Sequence, residues 1–171
     1  MSRLFSYVVR YDSGFAPNPF YGFCTLATCK PGIRRSAQPG DWIVGTGSAN
    51  KRVNRGSRLV HAMMVAEACD FRSYWSDPRF AGKRPQRNGS RKQSCGDNIY
   101  SRSPDDTKWL QLDSFHSDEN GQQREDHTKR DTGVDRVLIA EDFYYFGGEG
   151  PEIPAMFRDE ERYDICRKIR Q

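Results

Sequence analysis

The segment Pro39-Gly40-Asp41-Trp42-Ile43-Val44-Gly45-Thr46-Gly47 is followed, after a loop, by Leu59-Val60-His61-Ala62-Met63-Met64-Val65-Ala66-Glu67. Each is a short apolar run of the kind that forms a strand. The first opens on a Gly-Asp turn and closes on small residues. The second is nearly continuous in apolar character and ends in charge. Paired across their basic loop, they predict the hairpin core of a small β-barrel. The aromatic residues and basic loops around them point to a pocket for a flat ligand with a charged backbone, which means a nucleotide or nucleic acid.

A chain of 171 residues fits one domain, spanning 1–171. Hydrophobic residues make up only 36%, but aromatics reach 12%, and each large ring buries enough area to build a core. The net charge is +4, too small to suggest disorder. Its distribution is uneven. Lys51, Arg52, Arg55 and Arg58 form one basic cluster, and Lys83, Arg84, Arg87, Arg91 and Lys92 another. Acidic residues gather at Asp113, Asp118, Glu119, Glu125 and Asp126. One positive and one negative face are expected. Cys24, Cys29, Cys69, Cys95 and Cys166 are odd in number and widely spaced, which does not suggest a disulfide framework. The first residues lack the apolar stretch of a signal peptide, and no window reaches membrane-spanning length. A reducing cytoplasm and no membrane association are the expectation.

Along the chain, strands are expected over Leu4 to Tyr11, Asp41 to Thr46, Arg58 to Cys69, Ile99-Tyr100, Lys108 to Leu112, Val134 to Ala140 and Asp142 to Phe146. Phe20 to Cys29 is a strand or a short buried helix, and periodicity does not decide between them. Gly14-Phe15-Ala16 is expected as an exposed loop with an aromatic at its tip. Gly82 to Ser94 and Asp118 to Thr132 are expected as polar loops, and Met156 to Gln171 closes the chain with charge and a short helix. The fold class is α+β, mostly β, with one to three short helices.

Five segments carry a family likeness: Ser6-Tyr7-Val8-Val9-Arg10-Tyr11-Asp12-x-Gly14-Phe15-Ala16-Pro17-Asn18, Cys24-Thr25-Leu26-Ala27-Thr28-Cys29-Lys30-Pro31, Gly40 to Gly47, Gly96-Asp97-Asn98-Ile99-Tyr100, and Phe143-Tyr144-Tyr145-Phe146-Gly147. With them the chain resembles the bacterial and phage family called nucleotide modification associated domain, second type. Gly40 to Val44, Val60 to Glu67 and Tyr74 to Phe80 also resemble the PUA-like superfold, closest to its EVE-like domains that read modified bases. The resemblance implies association with systems that modify DNA bases or nucleotides. It supplies a context and not a reaction.

For the chemistry, Trp42, Tyr74 and Trp75 are the candidate stacking residues, since base stacking is worth about 1–3 kcal/mol per base. For any single ring a core role is the preferred reading, and one or two of the set are expected to line a pocket. Asp97 and Asn98, between a glycine turn and a strand, are candidates for a base edge. Arg34, Arg35 and Arg84 are candidates for phosphate, because arginine forks match phosphate geometry. The resulting expectation is a binding module for a modified base, with DNA the first choice of partner. An alternative is an enzyme acting on a nucleotide or DNA base, with Asp97 and His116 as acid and base and Cys24 or Cys95 as a candidate thiol. Ser114-x-His116 is a weak pattern that a hydrogen-bonded loop histidine also explains. A third reading is a protein-interaction module in a phage or defence system. Cys24 and Cys29 could meet Cys95 or His116 around a metal, but cysteines in an apolar run usually pack as small hydrophobes. No metal and no cofactor are expected.

Overall fold

The central strand starts at Asp41. Its carboxylate accepts hydrogen bonds from the backbone N–H groups of Arg3 and Gln38, both at 2.8 Å, and from the Arg3 guanidinium at 2.7 Å. These bonds, with the Arg3 side chain contributing most, hold its pKa down to about 2. The preceding Gly40 has φ 88°, a left-handed conformation that glycine adopts without steric cost.

A computed structural model describes residues 1–49 and 55–157. In chain order the elements are β1 (Leu4–Val9), β2 (Cys24–Leu26), α1 (Pro31–Ser36), β3 (Trp42–Gly47), β4 (Leu59–Met64), β5 (Glu67–Cys69), α2 (Phe71–Ser76), α3 (Arg91–Ser94), β6 (Tyr100–Arg102), β7 (Trp109–Gln111), α4 (Glu125–Thr132), β8 (Val137–Ala140) and β9 (Phe143–Tyr145). Short 3-10 turns cover Pro78–Lys83, Gly147–Glu149 and Ala155–Phe157. The strands make three sheets, in the orders β1-β3-β4-β9, β2-β8-β5 and β6-β7. β1 runs parallel to β3, and the expected β3–β4 hairpin is present and antiparallel.

The class is α+β, as expected, but helix and strand are present in roughly equal share where mostly β was expected, among the described residues no barrel closes, and four α-helices stand where one to three were expected. The run read as one strand from Arg58 to Cys69 is two. Val65 N–H still donates to Asp41 O, at 2.9 Å, but Ala66 N–H donates to Ile139 O on β8, at 2.8 Å. The chain leaves one sheet and joins the next within two apolar residues, so the run reads as continuous. Phe71 to Ser76 is a helix because the Asp70 carboxylate caps it, accepting from Ser73 N–H at 2.6 Å. The cap puts Phe71 and Tyr74 on one buried face. α3 lies inside the stretch Gly82 to Ser94 that was read as loop, and α4 inside the other, Asp118 to Thr132. α4 has no apolar stripe, with acids in its first turn, bases in its last, and only Thr128 and Asp131 buried. Lys51, Arg52 and the expected C-terminal helix beyond residue 157 lie outside the described residues.

β8 fixes the layering. All four of its residues are buried. Leu138 and Ala140 face a core shared with Tyr7, Ile43, Val60 and Met63 of the four-stranded sheet. Val137 and Ile139 face a second core with Phe71, Tyr74, Phe80 and Tyr100. A strand covered on both sides needs apolar residues at every position. Burying each Val, Leu or Ile contributes about 1.5–3 kcal/mol.

Gly45 of β3 lies in register between Tyr7 of β1 and His61 of β4. The His61 ring crosses over it, and a Cβ there would stand 2.3 Å from that ring. The crossing brings His61 Nε2 to 3.0 Å from Tyr7 Oη, whose own hydrogen is donated to Ala16 O at 3.2 Å. Burial drives the His61 pKa down to about 3, so the ring is neutral. Tyr7 is thereby fixed as a wall of the cleft described next.

Candidate active site

A cleft of about 490 Å³ opens beside the C-terminal half of β1. Its rings are Tyr7, Tyr11, Phe15, Phe115 and His116, and Arg10 and Lys30 bring charge. Phe15 was expected at an exposed loop tip. It is 4% exposed instead, packed edge-on against Phe115 and His116 at 5.7 and 4.7 Å between ring centres. Phe115 stays nearly half exposed, with the Arg87 guanidinium 4.8 Å over its ring. The Lys30 ammonium lies 4.6 Å from the centre of the Tyr7 ring. The cleft continues into a more open hollow that shares Arg10, Tyr11, Ser13 and Phe115 and adds Asp12, Arg55 and Arg91. The two basic clusters of the sequence therefore each send an arginine to one surface.

Cys29 and His116 of the cleft lining meet the buried Asp131. Cys29 Sγ lies 3.4 Å from His116 Nε2, and His116 Nδ1–H donates to Asp131 Oδ2 at 2.7 Å. The other Asp131 oxygen accepts from Cys29 N–H at 3.0 Å and from the Arg130 guanidinium at 3.2 Å. Tyr100 Oη donates to Asp131 Oδ2 at 2.9 Å. Cys29 and Lys30 have φ 57° and 42°. This left-handed backbone is uncommon for residues with a side chain, and such strain gathers at functional sites. It turns the chain sharply into α1, whose first residue is Pro31.

Burial alone would lower the His116 pKa, but its bonds to Asp131 and Cys29 outweigh that and raise it to about 9. For Asp131, burial pushes upward, and His116 with Arg130 prevails to hold it below the usual carboxylate range. Sγ, a His116 nitrogen and an Asp131 oxygen all fall within 4.8 Å of one another, close enough for a metal. The order of contacts is nevertheless serial. The carboxylate binds the nitrogen of the ring that faces away from the sulfur, so only Sγ and Nε2 converge on one point. Zinc sites take three or four protein ligands around one centre, whereas a thiol, an imidazole and a carboxylate in line are the parts of a nucleophilic site.

The residues singled out in the sequence fall elsewhere, His116 and Arg34 excepted. Tyr74, Asp97 and Asn98 are in the interior. Asp97 accepts from Tyr74 Oη and Thr25 Oγ1, both at 2.8 Å. Asn98 Nδ2 donates to Tyr74 O at 3.1 Å and Phe80 O at 3.2 Å. None of the three presents an edge to the cleft. His116 is paired with Asp131, and Asp97 takes no part in that pair. Arg34 is fully buried. It donates to Cys29 O at 2.9 Å, Val134 O at 2.8 Å, Arg136 O at 2.7 Å and Asp131 O at 2.5 Å. That occupies a phosphate fork with backbone, and it clamps both ends of the Cys–His–Asp array. Arg84 lies 4.3 Å over the Trp75 ring and donates to Trp75 O at 2.5 Å. Arg35 is exposed on α1, and Trp42 is half-buried at the start of β3. Neither lines the cleft. Lys83 is buried, its ammonium held by Asn18 O, Asn18 Oδ1 and Phe23 O at 2.7–3.0 Å.

Sequence reasoning missed the pairing of Cys29 with His116, and Asp131 altogether. Cys29 ends an apolar run, where a packing role was the simpler reading, and Asp131 lay in a stretch taken for loop. A signal was present. Tyr7, Arg10, Tyr11, Phe15, Cys29 and Lys30 all lie in the first two segments that carry the family likeness. The four cysteines within the described residues are free thiols. Among those residues no helix is long and apolar enough to cross a membrane.

Searches of the curated proteins and of the solved structures return no match. A family model does match, over residues 1–171, the whole chain. The chain belongs to the family described as nucleotide modification associated domain 2, and that description links it to nucleotide modification.

Proposed function

We propose that the chain binds a nucleobase, modified and carried on a nucleotide or flipped out of DNA, in the cleft beside β1, with its phosphate directed to the arginine-lined hollow. The observation that carries this reading is the continuity of an aromatic cleft with a cationic one. About 490 Å³ lies within the range that small-molecule sites occupy. Tyr11 and Phe115, the exposed rings of the cleft, offer ring surface to a flat ligand, at about 1–3 kcal/mol per stacked base. Arg10, Arg55 and Arg91 supply the charge complement of a phosphate. Arg55 donates to the Asp12 carboxylate and Arg91 to the Asp12 backbone carbonyl, both at 3.4 Å, so a phosphate would compete with weak internal contacts. Asp12 is also bound by Tyr145 Oη. The family's link to nucleotide modification supports the same ligand class.

Calorimetric titration with nucleoside monophosphates and short oligonucleotides, bearing plain and modified bases, tests it. Phe115→Ala and Arg10→Ala are each expected to weaken binding about tenfold, equivalent to 1.4 kcal/mol. Affinity for the oligonucleotides is expected to fall steeply with salt. Equal weak affinity for plain and modified bases would remove the selectivity for modification. Binding unaffected by both variants would remove the cleft as its location.

A further inference from the structure

We infer that Cys29 is a covalent nucleophile for an acyl group carried on the ligand of this cleft, with His116 as its acid–base partner and Asp131 as the residue that positions the ring. The ligand class rests on the nucleobase reading above; the nucleophile itself does not.

The geometry supplies each part. Cys29 and His116 both line the cleft, and Nε2 stands 3.4 Å from Sγ, within reach of a thiol proton. Asp131 Oδ2 fixes the opposite nitrogen as a donor at 2.7 Å, which leaves Nε2 as the proton carrier. Phe15 packs one side of the imidazole and His127 another, at 4.7 and 4.5 Å between centres. Arg34 holds the backbone carbonyls of Cys29 and Asp131 from below. Lys30, the next residue in the chain, also lines the cleft and can stabilise a developing oxyanion. Burial pushes Cys24 up to about 12, and burial with nearby Glu67 and Asp70 does the same to Cys69.

In the first half-reaction the neutral form of His116, whose share grows as pH rises towards about 9, takes the thiol proton at Nε2, and the thiolate sulfur attacks the acyl carbonyl carbon of an ester or amide. The S–C bond forms, the bond from that carbon to the leaving oxygen or nitrogen breaks, and His116 returns the proton to the leaving group. In the second, water attacks the thioester carbon and gives its proton to Nε2. The C–S bond then breaks, and the sulfur recovers that proton. No oxidant or metal enters the balance.

The full chain carrying Cys166→Ser, which removes the thiol outside the described residues, is treated with p-nitrophenyl acetate near neutral pH. Intact and peptide mass spectrometry locate the acetyl group, and p-nitrophenolate release gives the rate. Acetylation is expected at Cys29 ahead of Cys24 and Cys69. His116→Gln is expected to slow it about 10²-fold. The rate's pH profile should follow His116 in the field of Cys29, Asp131, Arg130, Tyr100 and His127, and Asp131→Asn should shift that profile. Uniform modification of all cysteines, or a Cys29 rate indifferent to His116→Gln, overturns the inference. So does stoichiometric zinc that masks Cys29 until a chelator removes it. Cys29 acylation that no nucleotide slows leaves the nucleophile standing and counts against the nucleobase reading. Nucleotide binding beside an inert Cys29 does the reverse.

Discussion

Gly45 is small because a histidine occupies the space its side chain would fill. The His61 ring crosses β3 there to reach Tyr7, and Tyr7 is a wall of the cleft. Gly45→Ala should therefore act by overpacking, costing about 1–3 kcal/mol. Thermal melts check the loss, and a larger drop in ligand affinity than in Leu110→Ala would show that Tyr7 has moved. His116 yields a second prediction. Its folded pKa, about 9, exceeds the unfolded value of about 6.5, so the folded state holds the proton more tightly. Its contribution to stability is full below 6.5 and is lost as pH rises through about 9. The stability gap between the wild type and His116→Gln, measured by urea unfolding across that range, should shrink towards alkaline pH. His61 has the opposite sign. Its folded pKa of about 3 is depressed, so its penalty grows as pH falls from about 6.5 towards 3.

Among the elements, β8 is the one shared by both cores. Leu138→Ala opens a cavity between the two larger sheets and should cost about 2–5 kcal/mol. Leu110, on β7, is 45% exposed, and its truncation should change stability by no more than about 0.5 kcal/mol. Denaturant midpoints of the two variants compare them directly. Most strands were legible because apolar runs bounded by turn residues were present at β1, β3, β7, β8 and β9. The elements that were not legible share one cause. β5, α2 and α4 owe their form to partners and caps distant from any periodic pattern: Ile139 for the strand switch at Ala66, the Asp70 cap for α2, and terminal charges with two inward polar residues for α4. A polar helix with no apolar stripe offers nothing for periodicity to detect.

At the scale of the whole molecule, buried polar groups tie the layers together. Asp97 accepts from β2 through Thr25 and from α2 through Tyr74, and Lys83 at the end of the following 3-10 turn returns to Asn18 and Phe23. Asp97→Asn leaves this network with the wrong donors and acceptors and should cost about 1–3 kcal/mol. At temperatures where the variant is folded, its ligand affinity should match the wild type. A selective loss of affinity with unchanged melting would restore Asp97 to the binding surface. The expected charge separation holds in part. Arg55 and Arg91 converge on one hollow, whereas Arg87 is 3.7 Å from Asp113 of the acidic stretch, and Arg84 is spent on Trp75.

The sequence by itself determined the strand-forming runs, the β3–β4 hairpin, the α+β class and the family, because these rest on local composition and on motifs read in order along the chain. Only the tertiary structure decided that the sheets stay open, that Tyr74, Asp97 and Arg34 turn inward, and that Cys29, His116 and Asp131 meet. These three residues lie 87 and 15 positions apart in turn. A hydrogen-bonded array of that span is set by which strands pair and which face each loop covers, and no window of sequence contains that information.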